Sequence, residues 1–206
     1  METDAKQHTI TISDAMDEIP PDGAQISSGS PDHPPRQGLL KFCPHQMVES
    51  VRQIDPEDLK RRGIEAVILD LDNTLVRWRE DEMTREVAAW LEELQATGIK
   101  LCILSNSILS KRSARMAERL GTLNVGKARK PSRQGFRRAL AALGTEPAVT
   151  AIVGDQMFTD ILGGNRVGVY TIMVRPLHRK EFVYTRLIHR PPERLLLSLF
   201  KRRGHL

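Results

Sequence analysis

Residues 70–74 read Asp70-Leu71-Asp72-Asn73-Thr74 and follow directly on the apolar run Ala66-Val67-Ile68-Leu69. Two carboxylates and a hydroxyl therefore stand where a buried strand should reach solvent. Carboxylates two residues apart can divide the work of a hydrolase. One attacks phosphorus as a nucleophile; the other moves protons for the leaving oxygen and for the attacking water. The same residue types also favour turns and helix caps, so on its own the segment reads equally well as a polar strand-to-helix turn. The other strand ends separate the two readings.

Three of them carry compatible groups. Ile103-Leu104-Ser105-Asn106 ends a second apolar run with a hydroxyl and an amide suited to phosphoryl oxygens. Lys127-Ala128-Arg129-Lys130-Pro131 follows a third and offers cations for the charge of a pentavalent transition state. Ile152-Val153-Gly154-Asp155 ends a fourth, with Asp160 five residues further on. Asp70, Asp155 and Asp160 then form an oxygen-rich set suited to Mg²⁺, which takes octahedral oxygen ligation and usually keeps waters. Each fragment alone is an ordinary turn, helix start or solvated face. Their succession at four strand ends is what turn chemistry does not explain.

The elements that must position these groups follow from periodicity. Apolar runs predict strands over 66–71, 99–104, 123–125, 149–153 and 168–174. Asp55-Pro56 and Gly63 bracket a short helix as N-cap, first-turn proline and terminating glycine. Val87, Trp90, Leu91 and Leu94 share a helical face, as do Phe136, Ala139, Leu140 and Leu143; Gly98 and Gly144 end these helices. Further helices are expected over 111–120, with a thin face of Ala114, Ala117 and Leu120, and over 158–165. Continuous rather than alternating apolar runs mean strands buried on both faces. The expected fold is α/β: a doubly wound, mainly parallel, five-stranded Rossmann-like sheet. Its ligands bind beyond the carboxyl ends of the strands, where strand order reverses.

The 206 residues suffice for one domain of ordinary size, and the net charge of +5 hides an asymmetry. Residues 1–38 hold seven acids against two bases, a balance of −5; residues 175–206 hold nine bases against two acids, a balance of +7. Pro, Gly, Ser and Asp dominate 20–38, so 1–38 reads as a disordered acidic tail, 39–180 as the folded domain and 181–206 as a basic amphipathic segment. Two cysteines, Cys43 and Cys102, are too few for a disulfide framework, and Cys102 inside Leu101–Leu104 reads as a buried inert thiol. With neither a signal peptide nor an apolar run of roughly 18 residues, the expected location is the cytoplasm, at most peripheral to a membrane.

The series Asp70-Leu71-Asp72-Asn73-Thr74-Leu75, Ser105-Asn106, Lys130-Pro131 and Gly154-Asp155 with Asp160 resembles the four signature motifs of the haloacid dehalogenase (HAD) superfamily of phosphohydrolases. Lys127–Pro131, Gly135-Phe136-Arg137-Arg138-Ala139, Gly154–Asp160 and Gly163-Gly164-Asn165 look like the YqeG-type subfamily, class IIIA. That subfamily is similar to the phosphatidylglycerophosphate phosphatases of mitochondria and plastids. The resemblance runs from about residue 39 to 190. It implies that Asp70 is the nucleophile that forms an aspartyl-phosphate and that Asp72 is the general acid and base. It implies Mg²⁺ held by Asp70, the backbone carbonyl of Asp72 and Asp155, with Asp160 as ligand or outer neighbour. Thr74 would orient the site, Ser105 and Asn106 would bind the phosphoryl group, and Lys130 would balance the nucleophile's charge.

Enzymes of this superfamily that act on small metabolites usually carry an inserted cap domain, but 75–97 and 107–129 leave room only for a loop and a helix each. The resemblance thus implies a capless, open site suited to a phosphate on something large: a lipid headgroup, a protein or a nucleic acid. Leu195, Leu196, Leu199 and Phe200 among Arg194, Lys201, Arg202 and Arg203 form a basic amphipathic segment of the kind that favours anionic membranes, although they could equally dock on the core. Two Trp and two Tyr give few platforms for stacking bases, which weighs against nucleic acid. The favoured expectation is dephosphorylation of phosphatidylglycerophosphate to phosphatidylglycerol at a membrane surface. The alternatives are another large phosphorylated substrate, or a non-catalytic scaffold that binds RNA or protein. The intact pair Asp70 and Asp72 argues against a scaffold. The sequence does not indicate an oligomeric state.

Overall fold

The computed structural model describes residues 36–78, 80–107, 110–177 and 190–202. Most of the expected acidic tail, the last three residues of the expected domain (178–180), and residues 181–189 and 203–206 of the basic segment lie outside the described residues. The elements run β1 (Gln46–Val48), α1 (Pro56–Arg61), β2 (Ala66–Leu69), α2 (Arg85–Ala96), β3 (Lys100–Leu104), α3 (Ser110–Leu120) and β4 (Leu123–Val125). They continue with α4 (Arg133–Leu143), β5 (Thr150–Gly154), a π-turn over Met157–Ile161, α5 (Leu162–Val167), β6 (Tyr170–Val174) and α6 (Arg190–Arg202). The local signals act as expected. Asp55 and Ser132 cap α1 and α4 by accepting hydrogen bonds from Glu57 N and Gln134 N.

The six strands pair in parallel in the order β1-β6-β5-β2-β3-β4. Strand order reverses at β2, which lies between β3 and β5, so the crevice beyond β2 and β5 is the ligand position such sheets provide. Alternate residues of each central strand face opposite layers. Val67, Leu69, Leu101, Ile103, Ala151 and Val153 pack with Leu59 of α1, Trp90, Leu91 and Leu94 of α2 and Met116 of α3. Ala66, Ile68, Cys102, Leu104 and Ile152 pack with Phe136, Ala139, Leu140 and Leu143 of α4. Both faces are thus covered, as continuous apolar strands require. Burial pushes the Cys102 thiol up to about 12, which keeps it protonated and inert.

The structure differs from the sequence reading in four places. A sixth strand, β1, is too short and too polar to show as an apolar run; it pairs with β6 from Gln46↔Ile172 to Val48↔Val174. Its anchor is polar. The buried Asn165 side chain donates to the carbonyls of Lys41 and Cys43 at 2.8 and 3.0 Å and accepts from Thr171 Oγ1 at 3.1 Å. The packed face of α3 holds Ser113, Met116 and Ala117, whereas Ala114 is exposed. The helix expected over 158–165 begins instead as the π-turn, with Ile161 N bonding five residues back to Gln156 O. Finally, α6 is divided: Leu196 and Leu197 pack with Met157, Ile161 and Met173 and Phe200 is buried, while Leu195 and Leu199 remain 64% and 38% exposed.

No described helix is long and apolar enough to cross a membrane. Connections 70–84 and 105–109 are too short for an inserted domain.

Asn165→Ala should lower stability by about 2–4 kcal/mol, because two buried carbonyls and a hydroxyl lose their partner. Urea denaturation reads the loss. Hydrogen exchange at Gln46–Val48 should accelerate more than in β2 or β5; uniform acceleration would show that Asn165 does not pin this edge.

Candidate active site

Asp70, Ser105 and Asp155 each stand one residue beyond a strand. Asp70 N donates to Val153 O at 2.9 Å and Ser105 N to Val125 O at 3.1 Å, extending the ladders past the strand ends. After Asp70 the chain turns sharply. Asn73 takes φ of 64°, a left-handed conformation that Asn tolerates, and its Oδ1 accepts from Trp78 N. This turn buries Thr74, whose Oγ1 donates to Asp70 Oδ2 at 3.1 Å.

Lys130 is the centre of the arrangement. Its buried Nζ lies 2.5 Å from Asp70 Oδ1 and 2.6 Å from Asp160 Oδ1. Only this member of the basic loop enters the site. Lys127 and Arg129 adopt left-handed conformations, φ of 50° and 53°, and stay exposed, while Ala128 and Lys130 turn inward. Asn106 completes the brace: its Oδ1 accepts from Lys130 N at 2.6 Å and its Nδ2 donates to Lys130 O at 3.1 Å. Ser105 Oγ accepts from Ser107 N at 3.1 Å, closing the turn beside it.

Asp160 reaches the strand end because of the π-turn. The widened turn brings its carboxylate back over β5, where Oδ2 accepts from Gln156 N at 3.1 Å. Gly154 makes room: a Cβ there would overlap the Asp160 carboxyl group. Asp70, Asp155 and Asp160 are all buried, and one carboxylate oxygen of each lies within 4.8 Å of the others.

Three buried carboxylates gather here, and the Lys130 ammonium lies against two of them. Burial is the largest influence on Asp70; it outweighs the opposing effect of Lys130 and, with Asp160 adding repulsion, pushes Asp70 up to about 7. For Lys130, burial pulls downward but the two carboxylates prevail and hold the ammonium above its ordinary range. A hard divalent cation fits this set, since converging carboxylate oxygens are donors of the right kind. The Asp72 side chain is outside the triad. It is partly exposed and pairs with Arg112 Nη1 at 2.5 Å.

The cleft above these groups has a volume of about 160 Å³ and is lined by Asp70, Asp72, Asn73, Trp78, Ser105, Asn106, Ser107, Lys130, Gln156 and Thr159. All the site residues expected from sequence thus gather at one crevice: Asp70, Asp72, Thr74, Ser105, Asn106, Lys130, Asp155 and Asp160. Sequence reasoning missed Arg112 and Trp78. Arg112 is one of 31 Lys and Arg, and nothing in its local pattern sets it apart. Trp78 follows the Asp-x-Asp segment closely enough that its proximity was a usable signal.

Two predictions follow from this geometry. In EDTA, Asp70 binds a proton in the folded protein up to about pH 7 but in the unfolded chain only up to about pH 4. Its contribution to stability is therefore greatest below about pH 4 and declines as pH rises towards 7. Urea midpoints from pH 4 to 8 should show that decline in wild type relative to Asp70→Asn; parallel profiles would contradict it. Gly154→Ala should displace Asp160 and lower any activity that depends on the cluster by about 10²-fold, with secondary structure retained by circular dichroism. Full activity would show that Asp160 need not stay in place.

The profile of a hydrolase family, described as haloacid dehalogenase-like hydrolase, matches residues 46–168. The probable phosphatase YqeG of Bacillus subtilis (strain 168) is 40% identical over 165 residues, covering 80% of this chain and 95% of the relative. The chloroplastic/mitochondrial phosphatidylglycerophosphate phosphatase 1 of Arabidopsis thaliana is 33% identical over 168 residues. That match covers 77% of this chain and 47% of the plant protein, so the chain spans about half the length of this relative. Among solved structures, the cobalt-bound deoxy-D-mannose-octulosonate 8-phosphate phosphatase of Haemophilus influenzae aligns with a TM-score of 0.46 and 16% identity, over 66% of this chain and 88% of that one. With the site residues in series along the matched segment, the chain belongs to the haloacid dehalogenase-like hydrolase family, as a phosphatase of the YqeG type.

Proposed function

We propose that this phosphatase is a Mg²⁺-dependent phosphomonoester hydrolase that works through an aspartyl-phosphate on Asp70 and converts phosphatidylglycerophosphate to phosphatidylglycerol. The observation that carries the reading is the buried cluster of three carboxylates and one ammonium beneath a cleft lined by Asp72, Ser105 and Asn106. Asp70, the Asp72 carbonyl and Asp155 would hold the ion, with Asp160 as ligand or outer neighbour. When bound, it supplies positive charge to the phosphoryl oxygens.

The chain's own groups account for the bond changes. A carboxylate oxygen of Asp70 bonds to phosphorus as the bond from phosphorus to the substrate oxygen breaks, and that oxygen takes the proton of the Asp72 carboxyl group. Asp72, now a carboxylate, takes a proton from water whose oxygen bonds to phosphorus. The bond between phosphorus and Asp70 breaks, inorganic phosphate leaves, and Asp72 is again an acid. Thr74 and Lys130 fix the two Asp70 oxygens through the contacts at 3.1 and 2.5 Å. Ser105 and Asn106 line the cleft beside the phosphoryl oxygens, and Asn106 additionally holds Lys130 in position.

The cleft supports a large substrate. At about 160 Å³ it falls below the roughly 300–1,000 Å³ of pockets that enclose whole small ligands. It therefore takes the phosphoryl end and leaves the rest of the substrate outside. On α6, the exposed Leu195 and Leu199 share a side with exposed Arg202, and Lys201 is exposed as well, a pattern suited to an anionic bilayer, with about 1 kcal/mol for each nearby base. This favours a lipid headgroup at the inner face of the cytoplasmic membrane over a protein or nucleic acid, as does the name of the plant relative.

With Mg²⁺, phosphate release from phosphatidylglycerophosphate in anionic vesicles should fall below detection in Asp70→Asn and by roughly 10² to 10⁴ in Asp72→Asn. Equal release by wild type and Asp70→Asn would end the covalent reading. Leu195→Glu combined with Lys201→Glu leaves the packed side of α6 intact and should reduce vesicle flotation and lipid turnover together. Unchanged flotation would remove the membrane contact, and faster turnover of a soluble phosphate would replace the lipid substrate.

A further inference from the structure

Arg112, in the first turn of α3, makes three bonds across the crevice. Nη1 donates to Asp72 Oδ1 at 2.5 Å, Nε donates to Asp81 Oδ1 at 2.7 Å, and Nη2 donates to the Glu80 carbonyl. Asp81 is gripped further by the same helix: Arg119 Nη1 donates to its carbonyl at 3.2 Å, and Arg115 Nη2 lies 3.8 Å from Oδ2. Asp72 is therefore joined to a helix forty residues away and, through it, to the loop that follows the Asp-x-Asp turn.

We propose that Arg112 is a positioning residue for phosphoryl transfer, holding the Asp72 carboxyl group at the cleft and tying it to the loop at Glu80 and Asp81. Asp72 is the only carboxyl group of the constellation outside the buried cluster, with its side chain 26% exposed. A carboxyl group half in solvent and free to rotate spends little time where a leaving oxygen can take its proton. A planar guanidinium with three fixed anchors removes that freedom as a point charge could not. The contact also divides the two Asp72 oxygens. Arg112 occupies Oδ1, which leaves Oδ2 to carry and exchange the proton.

A surface ion pair of the same composition would add little to stability and nothing to rate. The two roles are therefore separable. The inference rests on Asp72 acting as the general acid, and the experiment tests that premise separately. Proton donation matters most when the leaving oxygen is strongly basic. With Mg²⁺, kcat/KM is measured for glycerol 3-phosphate, an alkyl ester, and for p-nitrophenyl phosphate, whose leaving group needs little protonation. The variants are Asp72→Asn, Arg112→Ala, Arg112→Lys and Asp81→Asn, with urea midpoints recorded for each.

Arg112→Ala should lose about tenfold more on the alkyl ester than on the nitrophenyl ester, within the roughly 10² to 10⁴ that a general acid contributes. Asp72→Asn should show the same selectivity, and Arg112→Lys and Asp81→Asn a weaker form of it. Added guanidinium should restore part of the alkyl-ester activity of Arg112→Ala. Equal losses on both esters in Arg112→Ala, beside a selective Asp72→Asn, would overturn the positioning role. A non-selective Asp72→Asn would instead overturn the premise. If Arg112→Ala does not fold, the selectivity of Arg112→Lys and Asp81→Asn decides: its presence supports the role and its absence overturns it.

Discussion

The ammonium of Lys130, between Asp70 at 2.5 Å and Asp160 at 2.6 Å, is the interaction on which the site depends. All three groups are buried, and Asp155 is buried beside them. Removing water from ionised groups costs several kcal/mol each, and only close opposite charge offsets it. Burial, more than any neighbouring charge, raises the Asp70 carboxyl group, so a further cation nearby would favour its charged form. The fold therefore keeps a cluster of buried carboxylates at the point where its strand order reverses.

Much of the surrounding structure serves to hold that cluster in place. Asn106 grips the main chain of Lys130 from both sides, left-handed turns at Lys127 and Arg129 keep neighbouring bases out, and the absence of a side chain at Gly154 admits Asp160. The π-turn after β5 makes the same concession: it gives up regular helical bonding so that one carboxylate can reach back. Arg112 sets a second, outer charge pair at Asp72, separated from the buried cluster. The proposed nucleophile inside and proton-transfer group outside would require these different degrees of burial.

The strands and most helices were legible because their signals are local. Apolar runs, an N-cap followed by proline, and glycines just past helix ends act within a few residues, and residues such as Val67 and Ile68 alternate between layers once the strand is formed. The site was legible for a related reason: in a parallel sheet every strand ends on the same side, so polar residues after successive apolar runs must converge. Three features depended on distant partners and were not legible. β1 forms because Asn165 and Thr171 hold the preceding segment, not because Gln46-Met47-Val48 prefers a strand. The inward face of α3 is set by its contact with β3 and β4, which selects Met116 and leaves Ala114 outside. Arg112 gains meaning only from Asp72, forty residues earlier.

The buried carboxylates beside Lys130 have the donors for one divalent cation. Calorimetric titration of metal-free protein with Mg²⁺, at pH 6 and pH 8 in buffers of different ionisation enthalpy, measures whether they bind one. The account predicts one ion per chain, release of a proton on binding at pH 6 but little at pH 8, and loss of the binding heat in Asp155→Asn. Undiminished binding by Asp155→Asn, or none by the wild-type protein, would contradict it.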